Sequence, residues 1–179
     1  EDEIDLVHQV HEGGKIATKS QVRIETITDV RQIYTPGVAA ICKDIERYPE
    51  HAYKYTSIPN QVAIVTNGTA ILGLGAIGAV AGMAGREGKA VLFDYLVGVS
   101  GVPILIQNRD PKVIIDTVRN IAPTFGAIKL EDIKAPESFE IEERLKEALK
   151  IPIMHDDQHG TAIISAAGLI NALRLVKKE

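Results

Sequence analysis

Phe125-Gly126-Ala127-Ile128-Lys129-Leu130, a helical stretch from Glu137 to Leu149, and then Ile151-Pro152-Ile153-Met154 read as strand, helix and short strand. This run decides the fold. Working outward, Pro111 to Ile121 reads as a helix with Val113, Ile114, Val118 and Ile121 turned inward, and Val102 to Ile106 as a buried strand. Gln61 to Thr66 is a further strand (Val62, Ile64, Val65), and the Gly- and Ala-rich run through Gly88 contains a helix. A last helix runs from Gln158 to Leu175. Strands alternating with helices imply right-handed crossovers. The expected fold class is therefore α/β: three layers, with a mostly parallel sheet covered by helices on both faces.

Upstream the pattern is looser. Ile4 and Val7 lie on one face of a short helix from Glu1 to His11, ended by Gly13-Gly14. Lys15 to Ile24 reads as a strand or an extended arm. Thr28 is placed to cap a helix from Asp29 to Ile33, which leads into Tyr34-Thr35-Pro36-Gly37. Pro36 suits the first turn of a helix from Val38 to Tyr48 that Pro49 closes.

The 179 residues suit one domain, and a net charge of −4 from scattered charges argues against a nucleic-acid surface or a polybasic membrane anchor. Apolar stretches such as Ala70 to Gly85 read as too short to span a bilayer. No signal peptide precedes the first helix, and the start at Glu1 points to removal of the true N-terminus. The single Cys42 has no intrachain disulfide partner, which fits a reducing cytoplasm.

Ligands gather beyond the carboxyl ends of parallel strands. Glu131-Asp132 and Asp156-Asp157 fall there, each just after a strand. Adjacent carboxylates repel one another unless a cation lies between them. The competing reading makes Asp156 or Asp157 a cap for the last helix. His155 and His159 flank the second doublet, but no cysteine or third histidine accompanies them, so hard-oxygen coordination of Mg²⁺ or Mn²⁺ is preferred to zinc.

Gly73-Leu74-Gly75-Ala76-Ile77-Gly78 matches the dinucleotide fingerprint G-x-G-x-x-G. Asn67-Gly68-Thr69 interrupts the strand ahead of it, and Asp94 follows too early, after Val91-Leu92-Phe93, to be the ribose-binding acid. Glycines that let a helix pack closely on the sheet are the preferred reading. Taken alone, Lys89 reads as a snorkelling surface lysine and Tyr34 as a packed tyrosine with a tethered hydroxyl.

Together, several stretches resemble the N-terminal domain of malic enzymes in their smaller bacterial form. They are Tyr34-Thr35-Pro36-Gly37-Val38, Asn67 through Gly75, Glu87-Gly88-Lys89-Ala90, Ile121 through Gly126, Leu130-Glu131-Asp132-Ile133, Phe139 through Leu145, and His155-Asp156-Asp157-Gln158-His159-Gly160-Thr161-Ala162. They follow the family's order and cover nearly the whole chain. The resemblance implies oxidative decarboxylation of malate to pyruvate and CO₂ with NAD or NADP. Residues 1–179 would form the metal- and substrate-binding domain, and a Rossmann-type domain beyond them would carry the nucleotide.

The resemblance further implies that Tyr34 is the general acid that protonates C3 of the enolate, and that Lys89 takes the proton of the C2 hydroxyl. It makes Glu131, Asp132 and Asp157 the ligands of Mg²⁺ or Mn²⁺, with malate, oxaloacetate or pyruvate as bound partners. It also implies a homodimer formed through the N-terminal helices, with Tyr34 approaching the partner's site. Asn67 and Ala76 depart from the family's commonest residues. Three rivals stand beside this reading: a stand-alone oxaloacetate decarboxylase, a dicarboxylate-binding module without redox chemistry, and a nucleotide-binding domain built on Gly73–Gly78.

Overall fold

The computed structural model describes residues 3–178 of the chain; Glu1 and Asp2, at the start of the expected first helix, and Glu179 lie outside them. Four strands form one parallel sheet in the order β2-β1-β3-β4: β1 Gln61–Thr66, β2 Ser100–Leu105, β3 Ala127–Leu130 and β4 Ile153–His155. Parallel neighbours need crossovers, supplied by α5 (Met83–Val97), α6 (Pro111–Ile121) and α7 (Glu137–Ala148), numbered after four N-terminal helices. The chain steps outward from β1 to β2, then returns past β1 to β3 and β4. With right-handed crossovers, that reversal puts α5 on one face and α6 and α7 on the other.

Strand alternation explains both layers. Ala63, Val65, Ile128, Leu130 and Ile153 point to one face and pack against Ile114, Ile115 and Val118 of α6 and Ile141 and Leu145 of α7. Val113, expected inward, is 39% exposed, and Ile115 is buried in its place. The buried stripe is shifted because α6 packs against α7 as well as the sheet. On the opposite face, a Cβ on Gly101 would stand 2.8 Å from the Ala90 Cα and 2.8 Å from the Ile64 Cδ1, so glycine lets α5 lie tight on β2. Helix α5 runs straight through Val91-Leu92-Phe93, so Asp94 belongs to the crossover helix itself.

The N-terminal helices are α1 (Glu3–His11), α2 (Ile27–Ile33), α3 (Val38–Arg47) and α4 (Ala52–Tyr55). Thr26, rather than Thr28, caps α2. Its hydroxyl accepts from the Asp29 N–H at 3.2 Å while Asp29 Oδ2 accepts from the Thr26 N–H at 2.7 Å, a reciprocal capping box. Residues 15–24 form no strand; Lys15 is tied to α5 by its N–H on Glu87 Oε2 at 3.0 Å. The closing helix α8 (Asp156–Val176) starts two residues earlier than expected. At 21 residues it is long and apolar enough, by length and composition, to cross a membrane, which corrects the reading that no stretch is.

Candidate metal and acid–base site

The register of β3 with β4 pairs Leu130 with His155, so the residues that follow leave the sheet side by side. Glu131 and Asp132 continue from β3, and Asp156 and Asp157 form the first turn of α8. One carboxylate oxygen each from Glu131, Asp132 and Asp157 lies within 4.8 Å of the other two. The site opens beside the switch point between β1 and β3, on either side of which the crossovers cover opposite faces of the sheet.

The backbone fixes this geometry. Asp132 holds a left-handed conformation (φ 53°), which aspartate tolerates better than most residues. Its carbonyl accepts from the N–H groups of Thr69 and Ala70 at 3.1 and 3.0 Å, and its own N–H donates to Asp157 Oδ2 at 2.8 Å. The turn after β1 is braced by Asn67, whose Oδ1 accepts from the Thr69 hydroxyl at 2.7 Å. Asn67 thus secures the loop that pins Asp132. Neither Asp156 nor Asp157 caps α8: the N-cap is His155, which makes no side-chain cap bond, and both aspartates are turned into the site. Gly160, one turn on, leaves room for this, since a Cβ there would lie 2.5 Å from Asp156 Oδ1.

Cations line the same cluster. Lys89 Nζ, on α5, reaches Asp156 Oδ2 at 3.1 Å and Glu131 Oε1 at 3.5 Å, so it is a site residue and not a snorkelling one. Lys129 Nζ bonds Glu131 Oε2 and reaches Asp156 Oδ2 at 3.0 Å. Arg86 Nη1 donates to Asp132 Oδ2 at 2.5 Å. Burial lowers the Lys129 pKa to about 8, against the opposing hydrogen bond to Asp156. Burial alone would raise the Asp156 carboxyl, but hydrogen bonds from Lys129 and Lys89 outweigh it and hold it below the usual carboxylate range.

Sequence reasoning did not single out Lys129, Arg86 or Glu142. Lys129 had a signal: two residues before Glu131 on a strand, it points to the same face. Glu142, buried on α7, accepts from the His155 backbone N–H at 3.0 Å and meets His159 Nε2 at 2.8 Å. That contact ties His159 to α7, and His155 Nε2 stands 3.9 Å from Asp157 Oδ2; the cluster of converging donor atoms among the described residues is Glu131, Asp132 and Asp157.

Tyr34 lies apart. It ends α2 and is 70% exposed, and among the described residues no hydrogen bond or ion pair joins it to the carboxylates. Gly73, Gly75 and Gly78 all have positive φ, and a Cβ on any of them would meet nothing within 4 Å. They shape an exposed turn closed by the Ile71–Gly75 bridge, so they neither support close helix–sheet packing nor run from strand to helix as a dinucleotide loop must. The close approach belongs to Gly68 (φ 64°), where a Cβ would fall 2.3 Å from the Gly78 carbonyl carbon. A cleft of about 510 Å³ beyond β1 and β2 is lined by Asn67, Gly78, Ala79, Gln107, Asn108 and Arg109 rather than by the carboxylates.

The three carboxylates suit one divalent ion. All donors are hard oxygens, and their mutual spacing is what bonds of ~2.0–2.4 Å to a shared ion allow. Fold and site together define an α/β domain with an oxygen-donor cluster and a lysine at the carboxyl end of its sheet. The family profile described as "Malic enzyme, N-terminal domain" matches residues 13–112, and the chain belongs to the malic enzyme family.

The NAD-dependent malic enzyme 1 of Bacillus subtilis is 58% identical over 170 residues, 95% of this chain and 39% of that protein. The NADP-dependent malic enzyme of Escherichia coli is 50% identical over 172 residues, 96% of this chain and 23% of its length. The crystal structure of malic enzyme from Pyrococcus horikoshii superposes with a TM-score of 0.94 at 48% identity, covering 98% of this chain and 42% of the other. The chain therefore spans well under half the length of these relatives.

Proposed function

We propose that residues 1–179 form the metal- and substrate-binding domain of a malic enzyme that converts malate to pyruvate and CO₂, with NAD or NADP carried by a nucleotide-binding domain outside them. The observation that carries this reading is the convergence of Glu131, Asp132 and Asp157 with Lys89 only 3.5 Å from Glu131. Those carboxylates would hold Mg²⁺ or Mn²⁺, which when bound acts as a Lewis acid toward the 2-oxo group as CO₂ departs. Lys89 takes the proton of the C2 hydroxyl, and Asp156, at 3.1 Å, holds its Nζ in place. Tyr34 returns a proton to C3. Its exposure at the end of α2 suits delivery to the site of a second copy, and the exposed Ile4, Val7 and Val10 offer the apolar surface for a homodimer.

The test is activity of the chain by itself. Holding nicotinamide against C2 contributes ~7–11 kcal/mol through positioning. Without a nucleotide-binding domain, malate-dependent NAD(P)H production is expected to be unmeasurable, while Mn²⁺-dependent decarboxylation of oxaloacetate survives weakly. Asp157→Ala should bring that residual rate down to the rate of free Mn²⁺. Robust NADH formation from malate would overturn the domain assignment; an undiminished Asp157→Ala rate would overturn the metal assignment.

A further inference from the structure

Four carboxylates and three cations meet at this site, and two of the cations have no part in the proposed chemistry. The side chains of Arg86 and Lys129 are only 7% and 9% exposed. Arg86 is bound to Asp132, and Lys129 to Glu131, which are two of the three candidate metal donors. Asp157, the third, is held by the Asp132 backbone N–H instead. Carboxylates packed this closely, two of them buried, repel one another, and the two cations offset that repulsion within the chain itself.

A divalent ion needs the same oxygens. A hydrogen bond would leave each carboxylate oxygen a free lone pair, so the conflict is one of charge: a guanidinium 2.5 Å from Asp132 Oδ2 repels a divalent ion bonded to that oxygen. The two cations are not held equally. Arg86 makes one side-chain hydrogen bond among those described, to Asp132, and its Nε already lacks a partner, so its withdrawal leaves a buried charge unpaired and sets a cost against the ion's entry. Lys129 keeps Asp156, 3.0 Å away, when it leaves Glu131.

We propose that Arg86 and Lys129 are resident counter-cations of the carboxylate cluster, holding it together before a divalent ion arrives and retreating from Asp132 and Glu131 as the ion binds. This rests on the metal site proposed above. It makes the cluster pre-formed but its affinity deliberately limited, since the ion must displace charge already in place.

The experiment is calorimetric titration of MnCl₂ into wild type, Arg86→Gln, Lys129→Gln and Asp157→Ala, with thermal melts in chelator and in saturating Mn²⁺. Removing one like charge a few ångströms from the ion should tighten binding about tenfold in each glutamine variant. Each variant should also melt below wild type in chelator and recover most of the difference with Mn²⁺. Unchanged or weaker binding in both variants overturns the inference, because residues that merely position the ligands would weaken binding when lost. Absence of any Mn²⁺ binding that Asp157→Ala abolishes removes the metal reading itself, and the inference with it. Should either variant fail to fold, the wild-type Arg86 Nε–H resonance decides: it should shift on saturation with MgCl₂, and an unmoved resonance contradicts the retreat.

Discussion

The sheet-bearing middle of the chain and the two arms around it obey different rules. Among the described residues, every buried one lies within 61–155; residues 3–60 and 156–178 contain none. Yet the arms are not polar. Ile4, Val7 and Val10 of α1 and Ile163, Ile164 and Leu169 of α8 are all more than half exposed. Helices with apolar faces and nothing to bury them against draw their stability from contacts the chain does not itself provide. The candidate site straddles this seam. Glu131 and Asp132 are buried parts of the middle, whereas Asp157 stands on an arm, joined to it by the Asp132 N–H and by the Glu142 contacts to His155 and His159. An ion held by all three would fasten arm to body.

Cutting equal volumes from the two regions should separate them most strongly. Leu145→Ala, in the closed core under β3 and β4, should lower unfolding free energy by about 2–5 kcal/mol, while Leu169→Ala on exposed α8 should stay within about 0.5 kcal/mol. Urea denaturation followed by circular dichroism reads both, and equal losses would show that the arm is packed after all. The next effect concerns assembly. If the apolar arm is an interface between copies, wild type should sediment as a dimer at micromolar concentration and Val7→Asp as a monomer. A monomeric wild type would leave the α1 face to some other occupant.

A smaller effect lies at the seam. Burial pushes the His155 pKa below its usual value, against the raising influence of Asp157 and Glu142. Below about pH 6.5 the unfolded chain takes up a proton that the folded chain refuses, so stability should fall as pH drops from that value toward the folded pKa. The urea midpoint should therefore fall less between pH 7.5 and 5.5 in His155→Phe than in wild type. An identical fall would place the titration elsewhere.

Much of this was legible in the sequence, but unevenly. The strand–helix–strand runs around β1, β3 and β4 declared themselves by length and apolar content, and β1 was read to the residue. The acidic doublets were recognisable because they fall where parallel strands end. What single residues could not reveal was three-dimensional partnership. Lys89 resembled a surface lysine until α5 brought it against Asp156, and Arg86 joins the cluster only because it sits one turn before Lys89 on the same helix. Asp156 and Asp157 resembled helix caps because the register that turns them inward is set by β4 pairing with β3. The glycine-rich turn misled in both readings: its glycines serve positive φ angles in an exposed loop, which neither the dinucleotide spacing nor close packing would indicate.

The central claim is that the carboxyl ends of β3 and β4 form one divalent-cation site shared between body and arm. Mn²⁺ binding measured by electron paramagnetic resonance, on wild type and on Glu131→Gln, Asp132→Asn and Asp157→Asn separately, tests it most directly. Each substitution is expected to weaken binding by about tenfold or more, one carboxylate charge being lost from a three-carboxylate set. Wild-type affinity retained in any one variant would remove that residue from the ligand set, and retained in all three would contradict the site.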